Sequence, residues 1–359
     1  MAELSYGAGF HPDDNFWMRR CFQLAAMGRD GAAPNPMVGC VLVHPRHGWI
    51  SEGWHTGFGR PHAEAEAIGR VADPALLPGA TAFVNLEPCS HFGKTPPCAD
   101  LLIRSGIARV VVANTDPNPL VSGKGIAALR QAGARVTTGV LDEEGLELNR
   151  MFFTAMTHGR PWVTLKWARS ADGFLAGPDR LPVAITGEES RVRVHRLRSL
   201  HQAIFAGRGT WRADQPSLNL RVWKGRQPVR LVFDPEGNLP APPALAGSAT
   251  WIFSNRAGSE SPGVRYLPAG PGVQTPHSFL QSLYREGIHS LLVEGGALTL
   301  RWFLESGLWD EAHILTGPGR LSAGVPAPVL PSGIRLRAEA NGPDTWEIWR
   351  PGFLKPDDV

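Results

Sequence analysis

The N-terminal half of the chain alternates between helix-type and strand-type patterns of apolar positions. Met18, Cys21, Phe22 and Ala25 recur at the i, i+3, i+4 and i+7 spacing of one helix face, which predicts a helix over residues 14–28. Short apolar runs predict strands at 37–43, 49–55, 81–86, 109–113 and 135–140, and further helices are predicted at 62–71, 98–105, 125–132 and 142–157. Because strands and helices alternate, this half is predicted to be one α/β domain.

The alternation restarts after HGRP at 158–161, which is predicted to be a linker. Strands are predicted at 162–168, 202–207, 229–234, 250–255 and 290–296, and helices at 188–200, 277–287 and 297–308. Residues 236–276 are rich in Pro, Gly and Ala, so loops with at most one strand pair are expected there. At roughly 100–200 residues per domain, a chain of 359 residues favours two domains, which we place at 12–156 and 160–359.

Composition and charge narrow the classes of function. The net charge of +3 arises from 36 basic and 33 acidic residues without a basic block, so the case for binding nucleic acid is weak. No apolar run approaches the roughly 20 residues of a membrane span, and the N-terminal residues do not follow the pattern of a signal peptide. Four cysteines do not suggest a disulfide framework, which favours a reducing cytoplasm where thiols can bind metal.

A histidine and a glutamate two positions apart, followed by two prolyl-cysteines, predict a zinc site. These residues are His62 and Glu64 in PHAEAEAI, and Cys89 and Cys98 in PCSHFGKTPPC. Zinc takes three or four nitrogen and sulfur ligands, and a catalytic zinc keeps one position open for water. Each ligand is expected near a helix start, where the helix dipole favours a thiolate. Glu64 is expected to move a proton from that water to a leaving amine, which is the chemistry of deamination.

The distance between the two cysteines distinguishes this chain from the base deaminases, in which two residues separate them. Here eight residues intervene, and His91 and Lys94 among them suit a phosphorylated or hydroxyl-rich substrate. The alternatives are a coincidence of unrelated residues and a purely structural zinc, which usually has a fourth Cys or His ligand. Cys21 and Cys40 occupy apolar positions of a predicted helix and strand, so they are expected to be core thiols.

Several longer segments resemble the bacterial bifunctional riboflavin biosynthesis proteins of the RibD family, which join a pyrimidine deaminase to a pyrimidine reductase. In the N-terminal half these are PNPMVGCVLV (34–43), GRPHAEAEAI (59–68), NLEPCSHFGKTPPCADLL (85–102) and DPNPLVSGKG (116–125). In the C-terminal half they are KWARSADG (166–173), VHRLRS (194–199), GRGTWRADQPSLNLR (207–221) and LLVEGGALTL (291–300). The resemblance implies a cytidine-deaminase-like three-layer α/β domain followed by a dihydrofolate-reductase-like α/β domain, in a cytoplasmic enzyme that forms homo-oligomers.

The resemblance also implies the residues of each site. His62, Cys89 and Cys98 would bind one zinc ion, and Glu64 would be the catalytic proton shuttle. The implied substrate contacts of the deaminase are Asn35, His55, His91 and Lys94, with Asp116 and Asn118 in the same pocket. Those of the reductase are Lys166, Arg198, Leu218, Arg221 and Glu294. The implied NADPH contacts are Arg169, Asp172, Ala184, Thr210, Asp214, Gly296, Ala297, Leu298, Thr299 and Leu300.

Two successive reactions follow from the resemblance. The first is zinc-dependent hydrolytic deamination of 2,5-diamino-6-ribosylamino-4(3H)-pyrimidinone 5′-phosphate. The second is NADPH-dependent reduction of the ribosyl group of 5-amino-6-(5-phosphoribosylamino)uracil to ribityl. The expected partners are therefore small phosphorylated pyrimidines, with no role for nucleic acid or a membrane.

The C-terminal half carries weaker signals from its residues alone. Glu294, Gly295 and Gly296 link a predicted strand to a predicted helix, which suits a phosphate group, but no G-x-G-x-x-G follows a strand. Phe174, Gln215 and residues 316–323 depart from the family pattern, which leaves open a non-catalytic nucleotide-binding C-terminal half. The other alternative is a nucleic-acid base deaminase with an accessory domain. Three further arginines, at 191, 193 and 196, are expected to form a solvated helix face.

Overall fold

The computed structural model of the chain divides into two compact units, Met1–Thr157 and His158–Val359. It describes residues 13–90, 96–118, 121–181, 183–239, 247–256, 262–270 and 275–352. None of the helices in these ranges has the length and hydropathy that a membrane span requires.

The N-terminal unit is built on a mixed sheet of five strands in the order β2-β1-β3-β4-β5. Its strands are β1 (Gly39–His44), β2 (Gly48–Trp54), β3 (Thr81–Leu86), β4 (Arg109–Asn114) and β5 (Arg135–Thr138). Its helices are α1 (Asp14–Met27), α2 (Arg29–Ala32), α3 (Ala63–Gly69), α4 (Cys98–Arg104), α5 (Lys124–Gln131), α6 (Asp142–Leu148) and α7 (Arg150–His158), with a 3₁₀ turn at Pro74–Leu76. β1 is antiparallel to β2 and β3, whereas β3, β4 and β5 are parallel.

Successive strand residues face opposite helix layers, as the two-residue period of a strand requires. Val41 and Phe83 pack against the apolar face of α1, which includes Cys21. Cys40 and Leu42 point to the other side and pack against α3, α4 and α5. The three expected layers are therefore present. Cys21 and Cys40 are fully buried, and burial raises the pKa of both thiols, which confirms them as core residues.

The predicted helix over 142–157 is wrong as a single element, because it breaks at Asn149 between α6 and α7. The side chain of Asn149 accepts a hydrogen bond from the Met37 amide at 2.8 Å and donates one to the Met37 carbonyl at 2.9 Å. Asn85 donates to the same Met37 carbonyl at 3.0 Å. These tertiary bonds support the segment before β1, which later proves to line the pocket, and helical periodicity alone could not reveal them.

The C-terminal unit is built on nine strands in the order β11-β10-β9-β8-β12-β6-β13-β16-β15, with a separate ribbon of β14 and β7. The strands are β6 (Trp162–Arg169), β7 (Phe174–Ala176), β8 (Ala203–Ala206), β9 (Val229–Phe233), β10 (Thr250–Ser254), β11 (Val264–Pro268), β12 (Ser290–Val293), β13 (Glu311–Thr316), β14 (Val325–Pro326), β15 (Gly333–Asn341) and β16 (Asp344–Pro351). The helices are α8 (Glu188–Ser199), α9 (Arg208–Asp214), α10 (Pro276–Arg285) and α11 (Ala297–Ser306). Within the described part of the large sheet, β16 pairs antiparallel with both β13 and β15, and the other neighbouring strands are parallel.

One face of this sheet packs against α10 and α11, through residues such as Leu165, Phe279 and Phe303. The other face packs against α8 and α9, through residues such as Val194 and Trp211. Lys166 follows Leu165 in β6 and therefore faces the α8 side. This alternation places a charged residue of a central strand on the side of the helix that carries the run VHRLRS.

The sequence patterns did not predict several short elements of this unit, namely α9, β7 and every strand after residue 310. β10 and β11 form the one strand pair expected in the described part of 236–276. β15 is exposed along most of its length, because it is the edge strand, and its Ile334 and Leu336 are exposed too. An edge strand that buries little apolar surface leaves only a weak hydrophobic pattern in the sequence.

Candidate active sites of the two units

Three donor atoms of the N-terminal unit converge on one point. The Nδ1 atom of His62 lies 3.5 Å from Cys89 Sγ and 3.3 Å from Cys98 Sγ, and all three ligand atoms lie within 4.8 Å of one another. His62 immediately precedes α3, and Cys98 is the first residue of α4. One nitrogen and two sulfur donors at this spacing fit a zinc ion that keeps a fourth position open.

Cys89 corrects one expectation, because it follows β3 in a loop and does not lie at a helix start. Its carbonyl and its thiol reach α4 instead: Cys89 O accepts from the Ala99 amide at 3.1 Å, and Cys89 Sγ accepts from the Cys98 amide at 3.3 Å. Hydrogen bonds from Cys98 and then His62 lower the pKa of the Cys89 thiol to about 4. The site therefore favours a thiolate, which is the form that binds metal.

Glu64 lies in the first turn of α3, two residues after His62, and only 3% of its surface is exposed. Burial raises the pKa of this carboxyl group to about 7, and the charge of Cys89 adds to the effect. A carboxyl group that holds a proton near neutral pH can both take up and deliver one. The position of Glu64 beside the donor cluster suits the proton transfer that its sequence motif predicts.

The cluster opens on a cavity of about 380 Å³, to which His62, Glu64 and Cys89 contribute. Asn35 and His55 line the same cavity, as their predicted role requires. The Nε2 atom of His55 lies 3.3 Å from Asn35 Nδ2, and its Nδ1 atom lies 3.0 Å from the Pro61 carbonyl. This pairing assigns the Nδ1 proton to the bond with Pro61. Burial lowers the pKa of His55, so the ring is neutral near pH 7.

Asp116 and Asn118 also line the cavity, on a loop that is held by a residue the sequence analysis missed. Glu87 is buried, and its carboxylate accepts four backbone N–H groups, from Asp116 (3.2 Å), Gly123 (2.9 Å), Gly125 (2.9 Å) and Ile126 (3.2 Å). In the sequence, the position of Glu87 directly before Pro88 and Cys89 could have indicated that it belongs to the site. Because one carboxylate satisfies four donors, Glu87 fixes this wall of the cavity.

Phe58 and Phe152 also line the cavity and lie outside the quoted segments, and Arg60 lines it from within one of them, although it was not singled out. Phe58 and Arg60 lie between His55 and His62 in the sequence. Because both histidines were predicted site residues, the segment between them could have been expected to line the cavity as well. His91 and Lys94, which were predicted to contact the substrate, lie outside the described residues.

The C-terminal unit brings three of its predicted substrate residues into one ion network. Arg198 of α8 donates from Nε and Nη2 to the two carboxylate oxygens of Glu294 at 2.7 and 2.9 Å. Lys166 of β6 lies with its Nζ 3.6 Å from the same carboxylate. Burial alone would raise the pKa of Glu294, but Arg198 and Lys166 outweigh it and lower that pKa to about 2. Burial lowers the pKa of the Lys166 ammonium.

Leu218 and Arg221, the other two predicted substrate residues, lie in the turn after α9. Leu218 is buried in the core beneath α8 and has a positive φ of 48°. Arg221 is exposed, and its Nη1 donates to the Asn219 side chain at 3.0 Å. Burial lowers the pKa of Arg221, and the positive charges of Arg198 and Arg191 lower it further.

Two helix starts come together where NADPH binding is predicted. Thr210 of α9 accepts a hydrogen bond from the Gly296 amide at 2.9 Å. A Cβ atom on Gly207 would lie 1.8 Å from Thr299 Oγ1, and one on Gly295 would lie 2.6 Å from Thr299 Cβ. Only glycine permits this approach. No side chain caps α9 or α11 among the described residues, so the amides at these starts fit the phosphates of a dinucleotide.

The remaining residues with a predicted NADPH contact have varied surroundings. Arg169 donates to Thr316 Oγ1 at 3.0 Å and to Glu347 at 3.2 Å. Asp172 accepts from the amides of Leu321 (3.1 Å) and Ser322 (2.8 Å), which anchors the loop after β13. Ala184 is exposed before α8, Leu298 is 78% exposed, and Ala297 and Leu300 are buried. The backbone of Asp214 ends α9.

The expectation of a solvated face on α8 is wrong for Arg193. This guanidinium pairs with Glu339 and lies 4.6 Å from the ring centroid of Trp346. The partner strands β15 and β16 were not predicted, so the sequence offered no partner for Arg193. Arg191 and Arg196 are exposed, as expected.

Comparisons with known proteins match both units. The family of the RibD C-terminal domain matches residues 161–341, and the cytidine and deoxycytidylate deaminase zinc-binding region matches residues 11–114. The riboflavin biosynthesis protein RibD of Bacillus amyloliquefaciens is 41% identical over 331 residues, which cover 89% of this chain and 88% of that protein.

Solved structures agree with these sequence matches. The structure of RibD from Acinetobacter baumannii has a TM-score of 0.84 and 34% identity, and the match covers 94% of this chain and 98% of that chain. The diaminohydroxyphosphoribosylaminopyrimidine deaminase/5-amino-6-(5-phosphoribosylamino)uracil reductase from Thermotoga maritima has a TM-score of 0.84 and 35% identity, with the same coverage.

Proposed function

The chain belongs to the RibD family of riboflavin biosynthesis proteins, and from that premise we propose how its own residues perform the two reactions. It is a bifunctional enzyme with a zinc-binding deaminase domain followed by a reductase domain. The expected fold class and the expected order of the two domains along the chain are therefore confirmed. Matches over both halves favour this function over a nucleic-acid base deaminase with an accessory domain. The observation that carries the proposal is the buried cluster of His62, Cys89 and Cys98 beside Glu64.

In the deaminase domain, the substrate is 2,5-diamino-6-ribosylamino-4(3H)-pyrimidinone 5′-phosphate. His62, Cys89 and Cys98 would hold a zinc ion, which would supply the Lewis acidity needed for hydrolytic attack on the ring carbon bearing the 2-amino group. Glu64 holds the proton and delivers it to the amino group that leaves as ammonia. The buried position of Glu64 and its raised pKa support this role.

The other residues of the deaminase cavity seat the substrate. Asn35 and the neutral ring of His55 contact the pyrimidine, which is supported by their place on the cavity wall. Asp116 and Asn118 line the same cavity from the loop whose backbone Glu87 holds. His91 and Lys94 contact the ribose phosphate side.

In the reductase domain, the substrate is 5-amino-6-(5-phosphoribosylamino)uracil. NADPH, when bound, would supply the hydride for reduction of the ribosyl C1 to the ribityl product. Lys166 and Glu294 face the sugar, Leu218 borders it, and Arg198 and Arg221 bind its phosphate, because forked guanidinium donors match phosphate oxygens. The contacts to NADPH come from Arg169, Asp172, Ala184, Thr210, Asp214 and the residues from Gly296 to Leu300. The close glycines at both helix starts support this placement.

We also propose that the enzyme works in the cytoplasm as a homo-oligomer. The four cysteines are free thiols, two of them in the donor cluster, which suits a reducing compartment. Fractionation of cells that express the tagged chain tests the location. Light scattering of the purified protein tests the assembly.

Mass spectrometry of the products tests the proposed reactions. The purified, zinc-loaded chain is incubated with the diamino substrate, first without and then with NADPH. Without NADPH, the product should show an amino group replaced by oxygen. With NADPH, it should gain two hydrogens. A product that gains hydrogens without losing the amino group would contradict the proposed order, and an unchanged substrate would contradict the deamination itself.

A further inference from the structure

The segment of residues 215–221, at the end of α9, has a backbone that a free loop would rarely adopt. Gln215 and Leu218 both have positive φ values, of 41° and 48°, which are uncommon for residues other than glycine. Such conformations persist where surrounding contacts hold them, and they concentrate at sites of function. This segment, which we name the arginine turn, ends at Arg221, one of the residues proposed to bind the substrate phosphate.

Side chains from three other positions hold the backbone of the arginine turn. Arg198 donates to the Asn219 carbonyl at 3.1 Å. Gln227 holds both polar groups of Leu220, since its Oε1 accepts from the amide at 2.9 Å and its Nε2 donates to the carbonyl at 3.1 Å. His195 accepts from the Arg221 amide through Nδ1 at 3.2 Å. Four consecutive polar groups of the backbone are therefore fixed by side chains and not by a strand or helix.

The chemistry of His195 is set by this hydrogen bond. A ring nitrogen that accepts from an amide carries no proton, so His195 is the neutral tautomer protonated on Nε2. The residue is only 2% exposed. Burial, followed by the charges of Arg198 and Arg221, lowers the pKa of His195 to about 4, which agrees with a neutral ring near pH 7. His195 can therefore serve as a fixed acceptor among positive charges.

Positive charge collects around His195. Arg191, His195 and Arg198 are spaced i, i+4 and i+7 on α8 and so share one helix face. The backbone of Arg221 contacts this face through its hydrogen bond to His195. Glu294 is already shared between Arg198 and Lys166. An anionic group of the substrate would balance the remaining guanidinium charge, and its binding depends on where the arginine turn places Arg221.

We infer that His195 and Gln227 are positioning residues of the reductase, which hold the arginine turn so that Arg221 and Arg198 converge on the substrate phosphate. This inference rests on the proposed reduction of a phosphorylated ribosylaminouracil. It assigns a role to two residues that bind neither the substrate nor NADPH themselves. It also explains why Leu218 retains an unfavourable φ, because side chains fix the backbone of the three residues that follow it.

The test uses paired substitutions in the full-length chain. His195→Leu removes the acceptor, whereas His195→Asn places an amide oxygen close to the position of Nδ1. Gln227→Met keeps the length of the side chain and removes both hydrogen bonds. NADPH oxidation is followed with the deaminated ribosylaminouracil in its phosphorylated form and in its dephosphorylated form. Thermal unfolding of each variant confirms that it is folded.

The inference predicts a change confined to phosphate recognition. In His195→Leu and Gln227→Met, KM for the phosphorylated substrate should rise about tenfold, with a much smaller change in kcat. His195→Asn should recover most of the loss. KM for the dephosphorylated substrate should be the same in all variants, because it makes no use of Arg221. Should His195→Leu not fold, Gln227→Met, which acts on the other side of the turn, carries the test.

Two outcomes would overturn the inference. An equal rise in KM for both forms of the substrate would show a general structural defect. A failure of His195→Asn to improve on a folded His195→Leu would show that the acceptor is not what matters. A wild-type chain that does not oxidise NADPH with the phosphorylated substrate would instead overturn the proposed reductase function, and the inference with it.

Discussion

Glu64 and Glu294 are both buried glutamates at proposed active sites, yet their environments shift their pKa values in opposite directions. Burial and a neighbouring thiol raise the pKa of Glu64 to about 7. Arg198 and Lys166 lower the pKa of Glu294 to about 2 despite burial. When two carboxyl groups are similarly buried, the sign of the neighbouring charge therefore decides whether the pKa rises or falls. A carboxyl group such as Glu64, with a pKa near neutrality, suits proton transfer. A carboxyl group such as Glu294, with a strongly lowered pKa, suits a permanent negative charge.

The two sites also differ in how the chain assembles them. His62 and Cys98 are 36 residues apart in sequence and belong to short motifs at the starts of α3 and α4. Arg198 and Glu294 are 96 residues apart and belong to a helix and a strand end with no shared motif. A metal site demands a few donor types at fixed spacings, whereas an ion network can draw on any charged residues that the fold brings together.

The largest effect is expected for Glu64→Gln. The amide keeps the shape of the side chain but cannot carry the proton, so the rate of ammonia release should fall by roughly 10²- to 10⁴-fold. Zinc content per chain should stay the same, since Glu64 is not one of the three donors. Ammonia release and metal analysis on the same preparation provide the check. A variant within about tenfold of the wild-type rate would remove Glu64 from the chemistry.

Glu294→Gln should act on stability as well as on activity. It leaves Arg198 buried without its carboxylate, and the loss of one partner of a buried pair costs about 3–5 kcal/mol in the free energy of unfolding. Glu286→Gln is the matched control, because Glu286 pairs with Arg265 at 2.6 Å on the surface of the same unit. The control should cost about 1 kcal/mol or less. Urea unfolding measures both, and equal losses would contradict the contrast between buried and exposed pairs.

The pH dependence of stability should reveal the permanent charge of Glu294. Its folded pKa of about 2 lies below the unfolded value near 4.5, so its contribution is present above pH 4.5 and is lost as the pH falls toward 2. The full contribution is on the order of 3 kcal/mol. The difference in unfolding free energy between wild type and Glu294→Gln should therefore shrink with acidification. A difference that stays constant from pH 7 to pH 3 would argue against this charge state.

The smallest of these effects is expected for Glu87→Gln. The amide nitrogen would face backbone donors where a carboxylate oxygen now accepts, so the loop carrying Asp116 and Asn118 should lose its fixed position. KM for the diamino substrate should rise about tenfold, with zinc retained. Glu144→Gln, at an exposed pair with Arg19, is the control and should leave KM unchanged. If zinc is lost together with activity, Glu87 supports the metal ligands and not the cavity wall.

Much of the N-terminal unit could be predicted from the sequence. Its strands are buried on both sides, so apolar runs such as 81–86 and 109–113 are strong signals. The three donors of the metal cluster were singled out by residue type and spacing alone. What the sequence could not provide was the tertiary role of single polar residues. Asn149 interrupts a helix and bonds to Met37, and Glu87 accepts from four amides of a loop and the first turn of α5, in a segment that begins 29 residues later.

The C-terminal unit was less predictable for a physical reason. Its later strands lie toward one edge of the sheet, and β15 exposes most of its residues. Apolar and polar positions therefore do not alternate clearly along this part of the sequence. Arg193 was assigned to solvent because its partners Glu339 and Trp346 belong to those strands. His195 and Gln227 carry no motif of their own. Their importance follows from hydrogen bonds to backbone atoms, which no pattern of side chains records.

One coupled assay tests the central claim that the chain performs deamination before reduction. The zinc-loaded chain is given the diamino substrate and NADPH, and the absorbance of the reduced nicotinamide is followed. The wild type should oxidise NADPH, and Glu64→Gln should not until the deaminated intermediate is added, when both proteins should react at the same rate. Oxidation of NADPH by Glu64→Gln with the diamino substrate alone would contradict the account, because reduction would then not require the chemistry assigned to the first unit.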